Sequence, residues 1–517
     1  MTGGDLSRRW QSLAPYLLAL AVLLAYLPSL SGGFLNWDDP WLIRDNRVLA
    51  DPSPSALGRI WRDFSPETRL ELGAEYLPVR DTELWLEARL FDLSPGGLRA
   101  SALALYVAAM LLLRSALRRT LGRPVPAEVA AWVFALHPVH VESVAWLSGR
   151  KDVLALLFVA AAMAVHAGTS RQRLWAVPAL LLSAHLSKSM TVVAAGLLVV
   201  QDLLARRRPD LRIYAGAGAV AFGALLVHTA VGDLVGMTQP PAGGSTLTQA
   251  LSMAPVVWRY VGCLFFPPAL SLVHDVPVVA RLGVTTLLAL GLVMGWGAAG
   301  AYLWLRRARP LGLASFLAFF VPLLPVSQLV FPLQNQMADR YLFLSLLGAA
   351  LLFGALFDSV RSPSFALAPL VLLGLGLATA ERAYVFASSE RAFADATAKT
   401  RLSPTAPYQL ASALEEGRDI PGALRLYELA LVRSRGRDEV GRRATNNLAK
   451  LRVETGDLEG AEAVLAAGRL RWPDDPKIYA NLVRVLSRQG RTTEARALFD
   501  ELVRRFPEEA RQSGARP

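Results

Sequence analysis

Long apolar runs separated by short polar stretches fill the chain up to about Phe386. The run beginning at Leu13, "LAPYLLALAVLLAYLPSL", is long enough to cross a bilayer as a helix, which takes about 20 residues. The pattern predicts about eleven membrane helices, near residues 13–31, 99–117, 126–137, 150–168, 173–188, 189–204, 211–235, 282–305, 311–333, 340–358 and 364–386. Beyond Phe386 the apolar residues follow ordinary amphipathic helix spacing. We therefore expect an all-α protein, with a polytopic membrane domain over residues 1–390 and a separate helical domain over residues 404–512.

Residues 250–278 do not fit this pattern, because Pro267 and Pro268 interrupt their apolar run. Counting the segment as a crossing would place the arginines at 306–309 on the opposite side of the membrane. It is therefore either re-entrant or interfacial, or the number of crossings differs. Non-helical backbone is tolerated at membrane depth where protein or a watery cavity surrounds it. The sequence leaves the path of this segment open.

Charge adds an orientation to the predicted helices. The formal net charge is +12, yet charged residues make up only 19% of the chain and hydrophobic residues 53%. The arginines stand in short clusters between apolar runs, which is typical of cytoplasmic loops and not of a nucleic-acid surface. These clusters are Arg8/Arg9, Arg114/Arg118/Arg119, Arg171/Arg173, Arg206/Arg207/Arg208, Arg306/Arg307/Arg309 and Arg361. If all are cytoplasmic, residues 32–98, the loops near 137–150 and 334–340, and the C-terminal domain share the outer side.

Three local features refine the membrane domain. The first apolar run is longer than the apolar part of a signal peptide, about 7–15 residues, so we expect an uncleaved first helix. The single cysteine, Cys263, excludes an internal disulfide and stands in an apolar context typical of a buried residue. The first outer loop, residues 32–98, is acidic and carries Leu84, Trp85 and Leu90 at helical spacing. We expect helices lying on the membrane surface there.

The C-terminal domain contains a repeat. Ala461 and Ala495 stand 34 positions apart, the period of tetratricopeptide repeats, and Ala423 opens a longer preceding unit. Further positions recur in the same register, namely Leu410, Leu448 and Leu482, and then Tyr427, Leu465 and Phe499. The domain resembles the tetratricopeptide-repeat family and is expected to hold about three repeats. Such repeats are helical scaffolds that bind peptides or protein partners.

Polar residues interrupt the apolar pattern at four places on the predicted outer boundary. Ionisable side chains at membrane depth are costly, so each is a functional candidate. The four stretches are "FLNWDDP", "HPVHVESVAWLSGRKD", "HLSKSM" and "NQMADRYLFL". Together they supply Asp38, Asp39, His137, His140, Glu142, Arg150, Lys151, Asp152, His185, Lys188, Asp339, Arg340 and Tyr341. Cations for a phosphate and carboxylates for a proton on one face suit a lipid-linked phosphate site.

Each stretch also has a structural interpretation. Asp38 and Asp39 before a proline could form a helix cap and turn. His137 and His140 with Glu142 could bind a divalent metal, although Pro138 interrupts the helix that would align them. Arg150 and Lys151 could extend along the membrane surface from the end of a helix, and Asp339 and Arg340 could form a local ion pair. The sequence alone establishes no cofactor and leaves a divalent metal open.

Four stretches in this order resemble one family: "NWDDP", "HPVHVESVAWLSGRKDVL", "KSMTVVAAGLLVVQDLL" and "ADRYLFL", followed by tetratricopeptide repeats. They are similar to those of the transmembrane and tetratricopeptide-repeat-containing O-mannosyltransferases and their bacterial relatives, which have the GT-C glycosyltransferase fold. The resemblance implies an enzyme that uses a polyprenyl-phosphate sugar and keeps its catalytic acid in the first outer loop, at Asp38-Asp39 here. The chain departs from the family in its small number of repeats and in Ser345, where proline is common.

These observations predict a sugar transfer with inversion, of a hexose such as mannose, to a hydroxyl acceptor such as a protein Ser or Thr. Asp38 or Asp39 takes the proton of the acceptor as general base. The departing polyprenyl phosphate needs fixed donors. The donor-phosphate candidates are His137, His140, Glu142, Arg150, Lys151, Lys188, Arg340 and Tyr341. The repeats are expected to hold the acceptor or another protein partner, and no nucleic acid.

Two other classes of function compete with this hypothesis. In a non-enzymatic membrane scaffold, the repeats would recruit partners and the polar groups would only stabilise helix packing. A transporter of polyprenyl-linked sugars would commonly show internal repeats in its membrane half, and this sequence shows none. The Ala-, Leu- and Arg-rich composition is typical of a GC-rich bacterium, which predicts an inner-membrane protein with its outer face in the periplasm. The sugar, the acceptor and the oligomeric state are not given by the sequence.

Overall fold

The computed structural model describes residues 3–236, 239–265, 267–329, 333–359, 367–435 and 438–515, with side chains from residue 12 onward except at 268, 358 and 359. These residues contain α-helices, short 3₁₀ and π turns, and no β-strand. The chain divides into two compact units, one of residues 1–270 and 276–388 and one of residues 271–275 and 389–517. The predicted all-α class is therefore confirmed. Arg361, in the last predicted basic cluster, lies outside the described residues, as do the side chains of Arg8 and Arg9.

The first unit contains seventeen α-helices within the described ranges. They are α1 (Gly3–Tyr26), α2 (Arg47–Ala50), α3 (Ser55–Arg62), α4 (Pro66–Glu71), α5 (Pro78–Phe91), α6 (Pro95–Leu121), α7 (Pro124–Leu136), α8 (Val141–Ala145), α9 (Lys151–His166), α10 (Arg173–His185), α11 (Ala195–Leu204), α12 (Leu211–Leu234), α13 (Thr246–Phe265), α14 (Val284–Arg307), α15 (Leu311–Phe320), α16 (Leu346–Ser359) and α17 (Leu367–Val385).

Five segments of this unit are long and apolar enough to cross a membrane, by length and composition. They are Ser12–Ser29, Pro95–Leu121, Leu211–Leu234, Val284–Arg307 and Leu367–Val385. Further apolar helices, α7, α11, α15 and α16 among them, are shorter. These segments identify a multi-pass membrane protein, while the count of about eleven crossings stays a prediction. The doubtful segment 250–278 contains α13, which tolerates Pro255 and ends at Phe265.

The helix predicted over residues 311–333 is wrong in length, because α15 ends at Phe320. Pro322 and Pro325 follow, and a proline inside a helix removes one hydrogen bond and clashes with the preceding turn. The chain therefore turns through residues 321–329 instead of continuing as a helix. The predicted helix over 340–358 likewise begins as a 3₁₀ turn, Asp339–Leu342, before α16. These irregular segments carry side chains of the site described below.

The helices pack through small residues. Helix α6 packs against α9, α10 lies against α9 and α12, and α7 lies against α16. At the α7–α16 contact a Cβ atom on Gly354 would lie 2.4 Å from the carbonyl oxygen of Pro126. Only glycine lets the two backbones come so close, as is common between membrane helices. Such close packing holds the helix ends, and the polar turns that follow them, in fixed positions.

The first outer loop is a folded helical cluster. Helices α2–α5 pack around Val48, Ile60 and Leu72, all of which are at most 1% exposed. The predicted helices of this loop are therefore present. Exposed apolar side chains, among them Trp61 and Leu90, fit the prediction that the loop lies on a membrane surface, which stays a prediction.

The second unit consists of eight helices within its described residues. They are α18 (Ser389–Lys399), α19 (Thr405–Glu416), α20 (Ile420–Arg433), α21 (Glu439–Glu454), α22 (Leu458–Arg471), α23 (Pro476–Arg488), α24 (Thr492–Arg505) and α25 (Pro507–Ser513). Each helix packs against the next. The repeated alanines Ala423, Ala461 and Ala495 are fully buried, because a small side chain lets paired helices approach closely. The predicted tetratricopeptide-repeat fold is confirmed, and its predicted bounds, 404–512, stay a prediction.

Candidate functional site

The stretch between α7 and α9 is a buried turn that brings polar side chains together. Helix α7 ends at Leu136, as Pro138 predicts, and a 3₁₀ turn, Pro138–His140, follows. The side chain of Thr379 donates a hydrogen bond of 2.7 Å to the carbonyl of Leu136. A Cβ atom on Gly149 would lie 2.7 Å from the carbonyl oxygen of Glu142. The tight turn before α9 therefore requires glycine at this position.

The two histidines of this turn have structural partners. The Nε2 atom of His140 contacts the carbonyl oxygen of Phe343 at 2.9 Å, and its Nδ1 atom contacts the hydroxyl of Tyr106 at 2.8 Å. His137 bonds the carbonyl of Leu264 at 3.1 Å and accepts from the backbone of Val139 at 3.2 Å. Both rings thus use both nitrogens within the protein. Across the described residues, no group of three or more His, Cys, Asp or Glu side chains is arranged to hold a metal ion.

Asp39 is a buried anchor between the first loop and the turn. One carboxylate oxygen accepts from the backbone of Leu35 at 2.9 Å, and the other accepts from the backbone and hydroxyl of Ser148, at 2.9 and 2.5 Å. The side chain is fully buried. Burial raises the pKa of Asp39, and the hydrogen bonds from Ser148 and Leu35 offset part of that rise. With three donors, Asp39 is committed to holding the fold.

Asp38 differs from its neighbour in being only half-buried. Burial raises the pKa of Asp38 above its ordinary value, and the positive charges of Lys151 and Arg340 offset part of that rise. The side chain of Trp41 also hydrogen bonds to it. A carboxylate with a raised pKa that faces two cations has the properties of a general base. The two adjacent acids, equivalent in the sequence, therefore occupy different environments.

Three cation–carboxylate pairs lie close to one another, and members of two of them act electrostatically on Asp38. The Nζ atom of Lys151 lies 2.5 Å from Glu75, whose other oxygen accepts from the hydroxyl of Ser189 at 3.0 Å. Lys188 is paired with Asp152, and Arg340 with Glu142. Although burial opposes its ionisation, the charges of Lys151 and Arg80 lower the pKa of Glu75 to about 2. The guanidinium of Arg340 also lies over the ring of Trp146, 5.4 Å from its centre.

A half-open cavity lies beside these pairs and encloses about 390 Å³ of empty space, counting its open mouth. Its interior is narrow. Its polar lining comes from Asp152, Lys188, Arg340 and Tyr341, and its apolar lining includes Met190 and Phe343. Cations beside an apolar wall suit a phosphate that carries a hydrocarbon tail.

The predicted site residues thus separate into two groups. Lys188, Arg340 and Tyr341 line the cavity, and Lys151 acts electrostatically on Asp38. Arg150 is buried and held by Glu83 and Glu87 of α5. The side chains of His137, His140 and Glu142 bind other protein groups, so the structure gives these four residues a supporting position. Their predicted role in binding the donor phosphate is not tested and stays a prediction.

Sequence reasoning missed Glu75, and it named Asp152 among the ionisable candidates without giving it a role. Glu75 has no motif around it, and only its charge within an acidic loop distinguished it from an ordinary surface residue. Asp152 stands in the "RKD" triplet at the start of α9, where an acidic residue in the first turn of a helix needs no special explanation. Its burial beside Lys188 depends on the packing of helices far apart in the sequence. Local patterns could not reveal that contact.

The fold and the site together define a helical multi-pass membrane protein with a buried acid–base cluster and a tetratricopeptide-repeat domain. A tetratricopeptide-repeat family model matches residues 452–516. The chain is 35% identical over 170 residues to human protein O-mannosyl-transferase TMTC1, covering 31% of this chain and 19% of that protein. It is 24% identical over 372 residues to protein O-mannosyl-transferase F38B6.6 of Caenorhabditis elegans, covering 66% and 51%. The predicted resemblance to these transferases is thereby confirmed, and the chain spans about half or less of their length.

One solved structure that aligns with this chain is an Archaeoglobus fulgidus oligosaccharyltransferase tethered to an acceptor peptide. The alignment covers 82% of this chain and 59% of the oligosaccharyltransferase chain. The TM-score is 0.38 and the sequence identity 13%. A TM-score this low does not establish a common fold.

Proposed function

We propose that the protein is an integral-membrane glycosyltransferase that moves a hexose such as mannose from a polyprenyl-phosphate donor to a hydroxyl acceptor, a protein Ser or Thr. The observation that carries the proposal is the convergence, from five distant parts of the chain, of Asp38 and three cation–carboxylate pairs, two of which contribute to the lining of one half-open cavity. The similarity to proteins named as O-mannosyl-transferases supports the same activity.

In the proposed reaction Asp38 acts as the general base. Its carboxylate takes the proton of the acceptor hydroxyl while that oxygen forms a bond to the anomeric carbon. The bond from the anomeric carbon to the phosphate oxygen breaks, and the polyprenyl phosphate leaves with the electron pair. Attack from the opposite face inverts the anomeric configuration. Asp39, whose oxygens already accept three hydrogen bonds, positions the loop.

The cations of the site stabilise the leaving phosphate. Its negative charge grows as the bond to the sugar breaks, and fixed positive groups stabilise that charge. Lys188 and Arg340 line the cavity, and Tyr341 adds a hydroxyl at the same wall. Each cation has a carboxylate partner, so that Glu75, Asp152 and Glu142 hold the cations in place. The apolar lining receives the first isoprene units of the donor.

The proposal also assigns the site to one side of the membrane and gives the repeats a role. The first loop and the site face the outer side of the membrane, the periplasm of a bacterial inner membrane, where a lipid-linked donor presents its phosphate. The tetratricopeptide repeats recruit the protein acceptor. A non-catalytic scaffold is the alternative, in which the repeats alone carry the function.

The test compares Asp38→Asn with Asp39→Asn in the purified full-length chain in lipid nanodiscs. The assay supplies polyprenyl-phosphate mannose and a Ser/Thr peptide, and detects the added hexose by mass spectrometry. Asp38→Asn should lower kcat about 10²- to 10⁴-fold, the usual contribution of general acid–base catalysis, and leave donor binding intact. Asp39→Asn should instead lower the stability of the protein by about 1–3 kcal/mol, because it disrupts buried hydrogen bonds.

Three results would contradict the proposal. Full activity in Asp38→Asn would exclude Asp38 as the base. A product with retained anomeric configuration, determined by NMR, would exclude direct inversion. A wild-type chain that transfers no sugar from any polyprenyl-phosphate donor, yet still binds protein partners through its repeats, would favour the scaffold.

A further inference from the structure

One carboxylate oxygen in the cavity lacks a hydrogen-bond partner. Asp152 is 5% exposed, and its Oδ1 atom is paired with Lys188. Its Oδ2 atom is buried and, among the described residues, receives no hydrogen bond. The residue lines the cavity together with Lys188 and Arg340. A buried charged acceptor without a donor is costly, so its presence here requires an explanation.

The hydrogen-bond partner that Oδ2 of Asp152 requires can be limited to one kind of chemical group. An ionised carboxylate only accepts hydrogen bonds. An ionised phosphodiester also only accepts, so the donor phosphate cannot satisfy Asp152 and would be repelled by it. The partner must therefore carry an O–H or N–H group. Of the parts of a polyprenyl-phosphate sugar, the isoprenoid tail has neither and only the sugar has hydroxyls.

We propose that Asp152 recognises the donor sugar by accepting a hydrogen bond from one of its hydroxyls. This inference rests on the proposed function and adds to it the group that reads the sugar. Lys188 then has two roles, since it contacts the phosphate and orients the carboxylate of Asp152.

The experiment compares two soluble lipid analogues, citronellyl methyl phosphate and citronellyl phosphomannose. Both are phosphodiesters with one negative charge, and they differ in carrying a methyl group or a sugar on the phosphate. Their dissociation constants are measured by thermophoresis on the full-length chain in nanodiscs, without an acceptor. The wild type should bind the sugar-bearing analogue about 10- to 100-fold more tightly, the usual size of a hydrogen bond to a charged group. Asp152→Asn keeps an oxygen for Lys188 and presents a neutral amide N–H in place of the charged Oδ2, so this ratio should fall about 10-fold, because the hydrogen bond to a charged group is lost.

Asp202→Asn is the matched control. It makes the same carboxylate-to-amide change in a buried acid at the other end of α9, where Asp202 accepts from His166 at 2.9 Å. This variant should keep the wild-type ratio. An equal loss of the ratio in both variants would show a general effect of destabilisation and overturn the proposal. An unchanged ratio in Asp152→Asn would show that only water meets Oδ2, and would overturn it too.

A second measurement does not depend on the folding of any variant. Analogues of citronellyl phosphomannose that each lack one sugar hydroxyl are tested on the wild-type chain. One of them should lose about 10-fold in affinity, and no loss at any position would overturn the proposal. The binding measurement also distinguishes the proposed transfer activity from the proposed recognition of the sugar by Asp152. A sugar preference that depends on Asp152 but no transfer to any hydroxyl would refute the proposed function and leave this inference standing.

Discussion

Buried acids lie at both ends of α9, Asp152 in its first turn and Asp202 of α11 against its last turn, but their surroundings differ. The helix has 16 residues and spans about 24 Å. At its last turn His166 contacts Asp202 at 2.9 Å, and Asp202 also accepts from Tyr214 at 2.7 Å and from Arg207 at 2.5 Å. At its first turn Asp152 has one donor, Lys188, and one oxygen without a partner beside a cavity.

The difference teaches how to interpret a buried charge in a membrane protein. Burial of an ionisable group at membrane depth is costly wherever it occurs, so burial alone does not separate structure from function. Three donors at Asp202 satisfy the carboxylate and hold three helices together. One donor at Asp152 leaves a carboxylate oxygen without a partner on a residue that lines the cavity. The unused capacity, and not the charge, distinguishes the candidate site.

The largest expected effect that separates the two ends is on donor affinity. Lys188→Gln removes a positive charge from the cavity but keeps an N–H group for Asp152. We expect the affinity for citronellyl phosphate to fall about 10- to 100-fold, because a hydrogen bond to a charged phosphate is lost. Arg207→Gln, the same kind of change beside Asp202, should leave this affinity at the wild-type value. Equal effects of the two variants on binding would remove the distinction between the ends.

The second effect is on stability, and we expect it at the Asp202 end of α9 and not at the cavity. Asp202→Asn removes the charge that three donors share, and we expect a loss of about 1–3 kcal/mol in the free energy of unfolding. The measurement is denaturation of the full-length chain in mixed detergent micelles. The transfer rate per folded molecule should not change. If the rate fell while the stability held, the His166–Asp202 cluster would belong to the catalytic mechanism.

The third effect is a shift in the pH dependence of kcat/KM. The charge of Lys151 lowers the pKa of Asp38, which burial has raised. A general base works only when deprotonated, so Lys151→Gln should raise the pKa of Asp38 and move the acidic limb of kcat/KM to higher pH. The change also removes one of the cations that compensate Glu75, whose negative charge acts on Asp38 in the same direction. A pH–rate profile checks this expectation, and a limb that stays in place or moves to lower pH would contradict Asp38 as the base.

How much could be predicted from the sequence differs between the two units. In the repeat unit each helix packs on its neighbours, so positions such as Ala461 and Leu465 could be assigned from a 34-residue period alone. In the membrane unit the sequence identified the polar stretches and predicted that the elements around them are α-helices. It could not separate Asp38 from Asp39, because Ser148, which holds Asp39, is 109 positions away. Pairings over such distances depend on helix packing, which periodicity does not encode.

The smallest expected effect lies in the repeats and tests whether stability there is local. Asp457 begins α22, where its carboxylate accepts from the backbone of Gly460 at 2.8 Å. Asp457→Ala should cost about 1 kcal/mol, the usual value of such a cap. Because each repeat contacts mainly its neighbours, the loss should appear as faster hydrogen exchange in α22 and the adjoining helices only.

Asp475→Ala is the stronger partner variant, since buried Asp475 caps α23 and also binds Arg442 at 2.7 Å. Neither change should alter the affinity for citronellyl phosphate, and a change in that affinity would mean that the repeats and the membrane site are energetically coupled.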